Sequence, residues 1–323
     1  MTPLDHSAAR TAAILRRHLS RSMPERAWEL ELAHMFHIAI PPESLADARM
    51  LWEAAVAATP FPDGFGPWGP HPVWAEESYG IGHARTFIRI VAETGRGVPR
   101  GADVTAWIQS MQTGDGAFAC HAEFERLYRE RHPERAAQRD LEAREAWRRT
   151  TGADAGASWP HSDLEDAWNA LDALAAVGAA PRDRAGAVAW LRAHQRDDGA
   201  FRAAPTYDAG GDRYSGPLSD TMYAVRALAL LGSEPADPAA CTGWLLAIPE
   251  PPLIIPQWAL IEALAALGAL ARWNRSAARA RLQQLELSTD TAEPRVSFEA
   301  YAALRANALL SSSPSATGPA GDA

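Results

Sequence analysis

The sequence predicts an all-α fold built from repeated helix pairs, and three observations predict it. First, Trp107, Gln112, Asp115, Gly116 and Phe118 recur as Trp190, Gln195, Asp198, Gly199 and Phe201, each at an offset of 83 residues. An internal repeat fixes an architecture before local propensity does. Second, another segment interleaves with this one. Asp166, Trp168, Leu171, Leu174 and Gly178 correspond to Asp220, Met222, Val225, Leu228 and Gly232, and again to Pro256, Trp258, Ile261, Leu264 and Gly268. Weaker copies carry Glu299, Tyr301 and Leu304, and Glu77, Tyr79 and Gly82. Third, apolar residues in these segments fall at i, i+3, i+4 and i+7, the spacing of one helix face, while strand-like alternation is nearly absent.

Each element has a local reason. In the first unit an apolar helix buries its Trp and stops near Gln112 or Gln195. An Asp-Gly turn follows, whose Gly accepts backbone angles that a side chain resists, and a Phe opens the next segment. Helices of the second unit stop at Gly178, Gly232 and Gly268, each suited to a C-terminal cap. The chain therefore alternates two helix types joined by short turns.

Residues 1–75 are expected to form an N-terminal helical cap, ending in an aromatic, Pro- and Gly-rich loop with Phe61, Phe65, Trp68 and Trp74. The repeats occupy 76–310. A charged insertion at 121–151, rich in Arg and Glu, reads as a solvated surface. The tail at 311–323 is Ser, Pro, Gly and Ala and is expected to be disordered. Leu253, Ile254 and Ile255 fall in a Pro-rich turn between Pro249 and Pro256, which suits packing on a neighbouring loop or, at most, a peripheral membrane contact.

Composition narrows the function classes. The chain has 323 residues, 47% of them hydrophobic, enough for a large core. No apolar run is long enough to span a membrane and the N-terminus does not read as a signal peptide, so a cytoplasmic location is expected. Cys120 and Cys241 lie in unrelated contexts, which argues against a disulfide framework or a multi-cysteine zinc site. A net charge of −9 disfavours nucleic acid as a partner. All 31 basic residues are Arg, so lysine Schiff-base chemistry is excluded.

The Gln-x-x-Asp-Gly-x-Phe units at Gln112 and Gln195 resemble the repeat of the squalene cyclase and protein prenyltransferase superfamily, which also contains the class II terpene cyclases. The resemblance covers about residues 76–310. It implies an (α/α) toroid, a barrel of concentric helices whose inner layer lines an apolar cavity for an isoprenoid chain. The prenyltransferase branch implies a zinc held by Asp, Cys and His. Here Arg202 to Tyr223 offers Asp208, Asp212 and Asp220 but no Cys, and Val296 to Leu309 offers Glu299 but no His, so no metal site is expected.

Class II cyclases carry an Asp-x-Asp-Asp motif before an inner helix, and its central Asp protonates an alkene or epoxide. The matching stretch here is Asp163-Leu164-Glu165-Asp166. The resemblance thus implies Glu165 as the acid, with Asp163 and Asp166 as hydrogen-bonding supports and His161 near enough in sequence to tune them. Clustered carboxyls favour shared protons, because like charges resist joint ionisation. Glu in place of Asp adds one methylene and moves the proton by about 1 Å, which matters for a positioned acid.

Two residues beyond each acidic helix start stands a bulky group: Tyr79, Trp168, Met222, Trp258 and Tyr301, with Tyr223 beside Met222. The aromatic faces among them suit the stabilisation of carbocations. Asp220, the counterpart of Asp166, joins this substrate-facing set. A structural reading stands beside the catalytic one, since Ser162 and Glu165 also form a capping box and Asp163 and Asp166 suit a helix N-terminus. Positions 0 and +2 lie about 200° apart on a helix, so the acidic and aromatic positions cannot both face a cavity squarely.

The expected function is proton-initiated cyclisation of an isoprenoid or its diphosphate, with no cofactor beyond Mg²⁺ if the substrate is a diphosphate. Bacterial class II cyclases pair two such barrels, so a protein partner completing the single barrel is a further expectation. Three alternatives remain: a non-catalytic barrel that binds a prenyl chain or a partner, a zinc-independent prenyltransferase-like protein, and a carbohydrate-active (α/α) barrel using Glu77 and Asp220.

Overall fold

The computed structural model describes residues 3–19, 27–43, 45–46, 49–50, 81–92, 95, 97–118, 130, 133–134, 137, 163–202, 217–249, 251, 254–273, 280, 282 and 298–312. These form an all-α fold: α1 (Pro3–Leu19), α2 (Ala27–Met35), α3 (Ile81–Ala92), α4 (Gly101–Ser110), α5 (Asp163–Ala176), α6 (Arg184–Ala193), α7 (Pro217–Leu230), α8 (Pro238–Ala247), α9 (Ile254–Ala266) and α10 (Phe298–Ser312). Among the described residues, extended pairing is confined to isolated bridges, Gln112 with Phe118 and Gln195 with Phe201. The aromatic loop at 59–75 lies outside the described residues, as does most of the insertion at 121–151.

The helices divide by what they bury. In α9 every residue from Gln257 to Leu264 is buried. In α6 only Ala187 and Leu191 are. A helix covered on all sides must be apolar or small all round, and one covered on one side needs only a stripe. Accordingly Ala170, Ala173, Ala224, Ala227, Ala259, Ala263, Ala302, Ala303 and Ala306 are all buried along α5, α7, α9 and α10. Short side chains let these helices approach closely.

Packing runs in order from α2 to α3, α5, α7, α9 and α10, and α10 packs back onto α2. The one-sided helices α4, α6 and α8 pack on α5, α7 and α9 respectively, and α1 packs on both α2 and α10. The N-terminal residues expected as a cap thus supply α2, which stands between α10 and α3. Two sequence boundaries move. Ile254 and Ile255, expected in a turn, begin α9, with Ile255 buried, because Pro256 is tolerated within the first helical turn. The last helix continues through Ser312, two residues into the expected tail.

The repeat motif ties successive units together. Gln112 donates from Nε2 to the Asp183 carbonyl at 2.8 Å and accepts the Asp183 backbone N–H at Oε1, also at 2.8 Å. Gln195 does the same with Asp237, at 2.7 and 2.8 Å. Each carboxamide therefore imitates one rung of a β-ladder. The residue it grips caps the next one-sided helix: the Asp183 carboxylate accepts from Gly186 N at 2.8 Å and that of Asp237 from Ala240 N at 2.8 Å.

The turn glycines press on the same helix starts. Gly116 and Gly199 have φ of +94° and +92°, and a Cβ would lie 2.2 Å from backbone atoms of Gly186 or Ala240. Gly is required there for space as well as for conformation. Downstream, the Phe201 N–H donates to Thr221 Oγ1 at 2.9 Å, so the same turn anchors the start of α7.

Two substitutions test this linkage by urea denaturation. Gln112→Ala leaves the Asp183 N–H without this partner and its carbonyl with only the Ala187 N–H, and is expected to cost about 1–3 kcal/mol. Gly199→Ala meets backbone that cannot move aside and is expected to cost more than about 1 kcal/mol. Unchanged midpoints in both would contradict the role given to the turn.

Candidate functional site

The sequence leaves open which face of α5 carries the acid. In the structure Glu165, Trp168 and Asp172 follow at i, i+3 and i+7 along one side of α5, toward α3 and α7. Trp168 and Tyr223 of α7 stack in a tilted pair, ring centroids 5.4 Å apart. Glu165 is half-buried and is the acidic neighbour of the Tyr223 hydroxyl. Burial first, then the Glu165 charge, holds that hydroxyl well above the ordinary tyrosine range, so it stays protonated. Asp166 is buried one 100° step away from Glu165, and Asp220 is buried at the matching position of α7. Asp163 opens α5. Tyr79, His161 and the side chain of Asp163 lie outside what the structure describes.

A charged register runs beside the bulky one. Four residues after each bulky position stands Asp172, Arg226, Glu262 or Arg305, on α5, α7, α9 and α10. A spacing of four puts the bulky and the charged side chain on one helix face. Trp258 Nε1 donates to Glu262 Oε1 at 3.2 Å within α9. Arg305 Nε reaches the same carboxylate at 2.8 Å. The Tyr301 hydroxyl donates to Glu31 Oε2 of α2 at 2.6 Å, joining the last helix to one of the first. The Trp258 and Tyr301 rings meet edge-on at 6.0 Å. Burial, then the Glu31 charge, also holds the Tyr301 hydroxyl well above its ordinary value.

Asp172 is the anionic anchor on the other side. Arg85 of α3 donates to it from Nε, and Arg89 contacts both its oxygens from Nη1 at 3.1 and 3.2 Å. Burial alone would raise the Asp172 carboxyl, but the two arginines more than offset it and the net shift is downward. Arg85 also lies over the Trp168 ring, its Cζ 4.1 Å from the centroid, and Arg226 does so at 4.3 Å. The Trp168 ring, expected to stabilise a carbocation, therefore already carries two guanidinium groups.

Sequence reasoning missed Arg85, Arg226, Glu262, Arg305 and Glu31. The signal for three of them is visible: a charge within each repeat helix, always four residues after the bulky position. Arg85 and Glu31 have no such mark, since their partners come from distant segments.

Two further observations bear on chemistry. Cys241 is buried, and burial pushes its thiol up to about 12, which removes it as a nucleophile. Among the described residues no group of three His, Cys, Asp or Glu is arranged to hold a metal, and no helix is long and apolar enough to cross a membrane. No protein-family model, curated protein or solved structure matches the chain.

Asp172→Asn takes the counter-ion from the buried Arg85 and one contact from the half-buried Arg89, and is expected to cost about 3 kcal/mol at neutral pH. Because the folded-state carboxyl is depressed, its contribution is full above the ordinary value of 3.8 and fades as pH falls through the lower folded value. Urea titrations of wild type and variant should therefore converge in acid. A constant difference across that range would contradict the assignment.

Proposed function

We propose that the chain is a class II terpene cyclase-like enzyme on an (α/α) toroid, with α2, α3, α5, α7, α9 and α10 as the inner ring and α1, α4, α6 and α8 outside it. The cyclic packing order and the contrast between all-round and one-sided burial support the toroid. The observation that carries the activity is the side of α5 on which Glu165 lies. It shares that side with Trp168 and stands beside Tyr223, where the residue pattern calls for an acid enclosed by aromatic groups.

In the proposed reaction the Glu165 O–H bond breaks and its proton adds to a terminal alkene or epoxide of a folded isoprenoid. The alkene π electrons form the new C–H bond and leave a tertiary cation. A neighbouring double bond attacks that cation and closes a ring. The last cation loses an adjacent proton, whose C–H electrons become the product double bond. For an alkene start, substrate and product are isomers. A protonated Tyr223 hydroxyl beside the departing proton offsets the charge that develops on Glu165. Because the Trp168 ring already carries two guanidinium groups, the advancing cation is assigned to the Trp258 and Tyr301 rings, which meet edge-on. Mg²⁺ would arrive only as the counter-ion of a diphosphate substrate, since the described carboxylates do not group to hold it.

One observation favours the non-catalytic reading. Asp172, Glu262 and Arg305 are all paired within the protein, so the charged register holds the helices together without any substrate. That reading predicts prenyl-chain binding without product.

Incubation with farnesyl and geranylgeranyl diphosphates, squalene and oxidosqualene, with products resolved by mass spectrometry, separates the two. Glu165→Gln is expected to lower turnover at least about a thousandfold, because an amide donates no acidic proton. Glu165→Asp, which restores the carboxyl of the family motif, retains part of it. Equal product from wild type and Glu165→Gln rules out the proposed acid.

A further inference from the structure

A cyclisation that begins with a proton from Glu165 ends when the last cation gives one up. The acceptor must be a base close to the aromatic rings that hold that cation, with a lone pair open to it. A carboxylate committed to a guanidinium is poorly suited, because taking the proton abandons the ion pair.

Most of the enclosed carboxylates fail on this count. Burial would raise the Asp172 carboxyl, but Arg85 and Arg89 more than offset it and hold it below the ordinary range. Glu262 Oε1 accepts from both the Trp258 indole and Arg305, so its protonation would strip Arg305 of its counter-ion. Asp166 and Asp220 are buried at matching positions of α5 and α7, turned about 100° from the Glu165 position of the repeat, and each has interactions of its own.

Glu31 of α2 is different. It is half-buried and accepts the Tyr301 hydroxyl at Oε2, 2.6 Å away. That donor is neutral, since burial first and then the Glu31 charge keep the Tyr301 hydroxyl protonated. Glu31 Oε1 makes no hydrogen bond or ion pair with any described residue. Protonating it therefore breaks no ion pair and leaves the bond to Tyr301 in place. Its position in the fold agrees. Glu165 and Tyr223 belong to the neighbours α5 and α7, Glu31 and Tyr301 to the neighbours α2 and α10. In the packing order one helix separates the two pairs on either side, α3 on one and α9 on the other. The Trp258 and Tyr301 rings, to which the advancing cation is assigned, thus lie toward Glu31, and the Tyr301 hydroxyl fixes the carboxylate beside them.

We infer that Glu31 is the catalytic base that ends the reaction, with Tyr301 as its positioning residue. This rests on the proposed cyclase reading, which supplies the cation. A C–H bond next to the last cationic carbon breaks, its electron pair becomes the C=C bond of the product, and the proton forms an O–H bond at Glu31 Oε1. The half-buried carboxyl then returns that proton to water. Which C–H faces Oε1 sets where the product double bond falls.

The test uses the full chain and the same isoprenoid substrates, with products resolved by mass spectrometry after phosphatase treatment. Glu31→Gln keeps the size of the side chain but takes no proton from a cation. It is expected to consume substrate more slowly and to spread the product over double-bond isomers and an alcohol heavier by one water. The ratio of the main alkene to the rest should fall at least about tenfold, and Glu31→Asp should recover part of it. A purely structural role would lower the rate and leave that ratio alone. Tyr301→Phe keeps the carboxylate and removes its anchor, so a smaller shift in the same direction is expected, and it decides the matter where Glu31→Gln does not fold. An unchanged ratio in Glu31→Gln, or in Tyr301→Phe where the first variant does not fold, overturns the base. That result beside an inactive Glu165→Gln leaves the acid role standing. A wild type that forms no cyclic product overturns both.

Discussion

Each carboxamide of Gln112 and Gln195 grips both backbone groups of an aspartate that begins the next one-sided helix, and the rest of the architecture depends on that grip. The bridge fixes where α6 and α8 start, and their aspartates then cap them. The glycine in the same turn lies against the same helix start with no room for a Cβ. Since α6 packs on α7 and α8 on α9, placing the covering helices also places the fully buried ones. A side-chain amide is well matched to this task. It offers one donor and one acceptor in a plane, as a peptide does, at the end of a side chain long enough to span two units.

The buried side chains pose a different problem from the turns. Alanines let the covered helices approach closely, and the larger side chains are gathered into the bulky and charged registers. Charges so enclosed are tolerable only when paired. The register answers with alternation around the helices: acid on α5, base on α7, acid on α9, base on α10. Arg85 and Arg89 from α3 complete one side, and Glu31 from α2 accepts the Tyr301 hydroxyl on the other. The helices are thereby joined by polar links as well as by apolar packing. Arg226, the member of the alternation with no ion pair among the described residues, lies over the Trp168 ring of α5.

Much of the fold is legible in the sequence because its signals are local. The period of Trp168, Leu171 and Leu174 makes a helix whatever lies nearby. The glycine stops at Gly178, Gly232 and Gly268 close the ends of α5, α7 and α9, where the following N–H groups reach back to Leu174, Leu228 and Leu264 at 2.9, 2.9 and 2.8 Å. The face taken by the acid is not local. Rotation of α5 is set by what α3 and α7 present, and the Arg85 contact with Asp172 joins residues 87 positions apart. Glu31 is still less readable, since its partner Tyr301 is 270 positions away. An apolar helix with one charge, as in the Leu260 to Leu264 segment around Glu262, gives a useful warning. That charge has a partner elsewhere, even when the sequence does not say where.

The account stands on Glu165 delivering a proton to carbon. Incubating the protein with geranylgeranyl diphosphate in deuterium oxide and weighing the product tests this most directly, because a proton given to an alkene stays on carbon. The account predicts a cyclic isomer that carries a single deuterium, since the proton gained comes from solvent through Glu165 and the proton lost comes from the substrate. A cyclic product without deuterium, or one formed with release of diphosphate, would contradict it.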